Sequence, residues 1–126
     1  MSETGWQRVF LAAGLLNLVA GLLMVLAPAT AAAMTGLPLP ADSHLFVRLA
    51  GGLIATMGIG YLMAAGDLDR HRGIVAIGAI GKASAWLLML IYWLNGTIGF
   101  WAFAAFAIDL IFAILFTRFL LRFAAR

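Results

Sequence analysis

Four long apolar runs decide what this chain can fold into. They cover about residues 9–27, 44–65, 73–94 and 98–120, and each has about the 20 residues a helix needs to cross a hydrocarbon core. In lipid the backbone must satisfy its own hydrogen bonds, which only helices and closed barrels achieve. Continuous apolar runs without strict alternation favour helices. Composition points the same way: 65% of the residues are hydrophobic and 10% are charged, against about 45–50% and about 25% in soluble domains. The sequence therefore predicts one all-α domain over residues 1–126, a four-helix transmembrane bundle. The basic residues gather at helix ends, not in one patch, so a nucleic-acid partner is not expected. The chain contains no cysteine, which excludes disulfides, iron–sulfur clusters and thiol catalysis.

The connecting segments fit this plan. Pro28 suits a first helical turn and Gly36 a helix end, so residues 28–35 are expected to form a short interfacial helix. Pro38 and Pro40 then break the chain, and Asp42 or Ser43 is placed to cap the second span. Gly66 with DLDRHR makes a charged turn, and Asn95-Gly96 a very tight one. Spans three and four thus read as an antiparallel hairpin. The first span starts with Glu3 beside Arg8 and is longer than a signal-peptide core, so it is expected to be retained.

This topology puts Arg8, Arg70, Arg72, Arg118, Arg122 and Arg126 on one side, whereas loops 28–43 and 95–97 carry no lysine or arginine. The positive-inside rule then sets both termini in the cytoplasm, in a bacterial inner membrane. Arg70, Arg72, Arg118 and Arg122 are expected to anchor lipid headgroups, which makes membrane lipids the first partners.

Charges inside the spans are the informative exceptions. Lys82 lies 13 positions before Asn95, and Asp109 lies 13 positions after Gly96. At about 1.5 Å per residue, both sit about 20 Å from the tight turn and therefore at one depth, near the bilayer centre. Each charge alone costs about 2.5–3.5 kcal/mol there, so the two are expected to face each other in the bundle interior. Asn17 shares that depth, on a face with Gly14 and Gly21. Arg48 enters from the opposite end and can turn towards headgroups or into the cluster. Trp86, one turn beyond Lys82, is placed either to cover the ammonium group or to face lipid, and Ser84 is the nearest hydroxyl. If Arg48 points inward, two cations face one anion, and either Lys82 sheds its proton or an anionic or polar ligand head enters.

Other residues carry less. His44 and His71 fall on opposite sides and no carboxylate cluster accompanies them, so neither metal nor cofactor is expected. No catalytic residue set is visible, and an enzyme is not the favoured reading. The glycines of spans two and three read as close-packing positions, with self-association a lesser use. Trp6, Trp93 and Trp101 with Tyr92 are expected at the membrane interfaces.

The pattern LAPATAAAMTGLPLP after span one, RLAGGLIATMGIGYL in span two, a short charged turn and Asp109 in the last span resembles the DoxX-like four-helix membrane proteins. That resemblance covers nearly the whole chain and implies the same four-helix fold. Some relatives are accessory subunits of quinol- or sulfur-oxidising systems, which implies a quinone-linked membrane complex as a partner; no residues of a quinone site carry over. Two functions follow as expectations. One is a buried polar site of Lys82, Asp109, Asn17 and Arg48 that binds a small or anionic ligand or conducts a proton or anion. The other is an accessory or assembly subunit, homo-oligomeric or part of a larger complex, whose charges only join helices.

Overall fold

The structure, a computed structural model, describes residues 1–123; Arg126 lies outside the described residues. Among the described residues every regular element is helical. Helix α1 spans Glu3–Leu26, α2 Pro28–Thr35, α3 His44–Gly66, α4 Arg72–Leu94, α5 Phe100–Ala105 and α6 Ala107–Arg118, and a wide π-helical turn, Phe119–Phe123, follows α6. Four helical stretches are long and apolar enough to cross a membrane, with mean hydropathies from 1.6 to 2.5. Only about a fifth of each is buried inside the protein. The outward faces carry residues such as Leu53, Ile77 and Ile80, each more than half exposed. In water such a surface would be an aggregation hazard; in a bilayer lipid tails cover it at no cost.

Several ends obey simple rules. Ser2 accepts the Gly5 N–H and caps α1. Pro28 starts α2, and Gly36 at φ 73° closes it with its N–H turned back to the helix. Gly96 at φ 80° makes the tight turn after α4, where Asn95 accepts the Thr97 N–H at 3.0 Å. The expected cap of α3 is not made. Ser43 forms no side-chain bond there, because a 3-10 turn over Ala41–Ser43 leads straight into the helix.

The last span differs from the continuous helix expected over 98–120. It breaks at Phe106 (φ −93°, ψ 2°), with tightened bonds from the Phe106 N–H to the Phe103 carbonyl and from the Asp109 N–H to the Phe106 carbonyl, both 3.1 Å. No proline or glycine marks the break. It leaves Asp109 in the first turn of α6, where unpaired amide N–H groups favour a carboxylate.

Helices α1 and α3 pack antiparallel and very close. A Cβ on Gly21 would lie 2.4 Å from the Gly51 carbonyl oxygen, and one on Gly58 would lie 2.8 Å from that of Gly14. The pairs 14/58 and 21/51 keep one register, a seven-residue repeat on both strands of the hairpin. Dispersion and backbone contact hold such an interface where lipid offers no hydrophobic drive.

The main buried cluster is largely aromatic and sits at one end. Phe10 packs on Phe116 and Phe119, each 5.0 Å between ring centres, and Tyr61 packs on Phe116 at the same distance. Trp6, near the charged end of α1, turns its ring into the core, 5% exposed and edge-on to Phe119. It lies four residues before Phe10, one turn away on the same face of α1, which carries it into the stack. In every helix the members of this cluster lie towards the charged turn at 67–71, and none lies beyond Asn17, Lys82 or Asp109 in the other direction. Residues 83–94 of α4 include no buried residue. Towards the tight turn α1 and α3 stay close-packed at Gly21 and Gly51, and it is α4 that is loosely joined there.

Candidate functional site

The polar cluster sits where that aromatic core ends. Lys82, halfway along α4, has an 8% exposed side chain. Its Nζ donates to Asp109 Oδ1 at 3.0 Å and to Asn17 Oδ1 at 3.0 Å. Asn17 in turn donates from Nδ2 to the Ile54 carbonyl at 3.3 Å. Three helices therefore supply the side chains, and α3 supplies a backbone acceptor. The ammonium also lies 5.6 Å from the Tyr61 ring centre and 5.5 Å from that of Phe112, within the range of a cation–π contact.

Other candidate residues stand elsewhere. Arg48 is exposed in the second turn of α3, about 9 Å along the helix from Ile54, and it does not join the cluster. The cluster thus holds one cation and one anion, and the charge excess that argued for an anionic ligand is not there. Trp86 does not cover the ammonium group; its ring packs on Phe103 at 6.2 Å, because α5 lies beside that turn of α4. Ser84 is exposed and forms no side-chain bond. Of the four arginines expected at headgroups, Arg72 pairs with Asp69 at 3.1 Å, and Arg70 donates only its backbone N–H to Asp67. Arg118 and Arg122 are exposed. Among the described residues no group of three metal-ligating side chains occurs.

Tyr61 and Phe112 escaped the sequence reading. A count from the charged turn would have found the first: Tyr61 is five residues before Gly66, and Gly78 is six after Arg72. The structure sets that ring against that glycine, where a Cβ would lie 2.6 Å from the phenol. Gly78→Ala is therefore expected to destabilise the fold by about 1–3 kcal/mol in a reversible unfolding titration. Gly81→Ala, with nothing within 4 Å of the new methyl, should leave the midpoint unchanged.

Counting hydrogen-bonding capacity shows what the cluster leaves open. Asp109 Oδ2 accepts no bond, although the side chain is only 20% exposed. The Asn17 amide has used one of its two N–H groups, and the Tyr61 hydroxyl forms no hydrogen bond. No fully buried side-chain nitrogen or oxygen lacks a partner among the described residues, so Asp109 Oδ2 keeps some exposed surface, whereas the Tyr61 side chain is buried against Gly78. An acceptor, a donor and a hydroxyl thus surround a charge-neutral pair. No protein-family model matches this chain, and neither a curated protein nor a solved structure is similar to it.

Proposed function

We propose that this chain is a non-enzymatic integral membrane protein whose Lys82–Asp109–Asn17 cluster binds the polar head of a small molecule. In this reading both termini face the cytoplasm of a bacterium, the cluster lies near the bilayer centre, and the ligand comes from the end where α4 is loosely joined. Lys82 holds the Asp109 carboxylate in place. Asp109 Oδ2 accepts from the ligand, and the remaining Asn17 N–H donates to it. The observation that carries the reading is the set of unfilled valences around one neutral ion pair. Binding fits better than passage of a proton or anion across the membrane, because Phe10, Tyr61, Phe116 and Phe119 stack between the cluster and the charged end.

A chain without cysteine makes the test direct. Ile54→Cys lies two turns from Tyr61 on the same stripe of α3, outside the main buried cluster, whereas Ala79→Cys lies within it. Methyl methanethiosulfonate should modify the first in membranes and leave the second unreacted. If the two thiols are equally inert, the cluster is not reachable and the binding reading falls.

One observation favours a second reading. The half of α4 from residue 83 onward has no buried residue, and Gly81 and Gly52 face open space, as helices awaiting a larger assembly do. The DoxX-like resemblance would make that assembly quinone-linked, with the ion pair only joining helices. A stoichiometric membrane partner retained through mild-detergent purification would support it.

A further inference from the structure

A second feature lies at the charged end, apart from the cluster. A cavity of about 310 Å³ opens there between α1 and the end of the last span, lined by Met1, Trp6, Leu115, Arg118, Arg122 and Phe123. We infer that this cavity binds a phosphate ester, the headgroup phosphate of an anionic phospholipid.

Arg118 and Arg122 are four residues apart and so share a helix face. Neither forms an ion pair among the described residues, whereas Arg72 at the same end is already neutralised by Asp69. The cavity lining contains no carboxylate side chain. Two guanidinium groups over one opening match the bidentate geometry of a phosphate. Trp6 and Phe123 line the cavity and both pack on Phe119: Phe123 stacks on it at 5.0 Å with planes 19° apart, and Trp6 packs edge-on at 5.4 Å. The π-helical turn Phe119–Phe123 buries both rings and leaves the two arginines flanking the same opening. Such turns are rare and frequently functional.

The other lining residues choose the source of the phosphate. Leu115, Trp6 and Phe123 offer an apolar wall beside the guanidinium groups, which suits a phosphate carried on glycerol and the first acyl carbons. The position at the end of four apolar helices is where such headgroups lie. Arg118 is nine residues beyond Asp109, about 14 Å along the helix, so the inference does not rest on the reading of the Lys82 cluster.

Native mass spectrometry of the full chain in a neutral detergent, titrated with phosphatidylglycerol or phosphatidylcholine, tests it. Wild type should retain the anionic lipid preferentially. Arg118→Gln/Arg122→Gln should weaken that binding about thirtyfold, at the usual contribution of a basic residue near anionic lipid, and Arg70→Gln/Arg72→Gln should not. Should the glutamine pair fail to fold, Arg118→Lys keeps the charge and loses the fork, and it should still weaken binding. Equal retention of the two lipids, or equal weakening by the loop pair, would overturn the site in favour of diffuse surface charge. Glycerol 3-phosphate separates the sources: failure to displace the lipid supports a headgroup, and binding as tight as the lipid's overturns the lipid assignment.

Discussion

Lys82→Met alone is expected to destabilise the fold by about 3 kcal/mol, and Lys82→Met/Asp109→Leu together by much less than either change alone. Removing one partner of a poorly solvated pair leaves a bare charge, at about 3–5 kcal/mol; Asp109, a fifth exposed, belongs at the lower end of that range. Replacing both partners by apolar side chains leaves no charge behind and is often neutral. The magnitudes discriminate between explanations. An ordinary interhelical polar contact in a membrane contributes about 0.6 kcal/mol, so a coupling that small would mean that the ammonium and carboxylate are separately satisfied. Denaturation in mixed micelles, followed by tryptophan emission, gives all four corners of the cycle. A double variant as unstable as the worse single one would remove the ion pair from any account of the site.

Gly21→Leu is expected to have the largest effect of any single change, leaving no folded protein in detergent. Even its first side-chain carbon would sit 2.4 Å from the Ala55 nitrogen and the Gly51 oxygen, and these are backbone atoms that cannot swing aside. Helices α1 and α3 would have to part, taking the Asn17–Ile54 bond with them. Gly21→Ala should cost about 1–3 kcal/mol, whereas Gly52→Leu, on the open face, should stay within about 0.5 kcal/mol. The same micelle titration reads all three. If Gly52→Leu proves as damaging as Gly21→Leu, the close approach of α1 and α3 is not what holds the hairpin.

Much of this was legible before any coordinates. Length and hydropathy mark the four spans because in lipid a helix must be long and apolar whatever its neighbours are. Pro28, Gly36 and Gly96 mark their boundaries because few other residues fit those backbone angles. The count from Asn95-Gly96 set Lys82 and Asp109 at one level, and their atoms lie 3.0 Å apart. What could not be read was direction around each helix. Arg48 could point two ways, and depth alone does not choose. Trp86 stood one turn from Lys82, yet the break at Phe106, which no breaking residue announces, brings Phe103 beneath its ring. The glycines looked alike in the sequence, although Gly51 and Gly58 meet α1 while Gly52 faces nothing. Apolar residues on every face of a helix leave no stripe to show which side meets a neighbour.

The two charges that meet in the interior belong to consecutive spans, on α4 and α6, joined through a tight turn and the short α5. That arrangement constrains biogenesis. A ribosome that has delivered only α4 presents the insertion machinery with a lone cation, which partitions poorly at about 2.5–3.5 kcal/mol. Release into lipid is most favourable once the following segment has arrived with its carboxylate. The second hairpin is therefore expected to leave the insertion machinery as one unit, its two charges already paired.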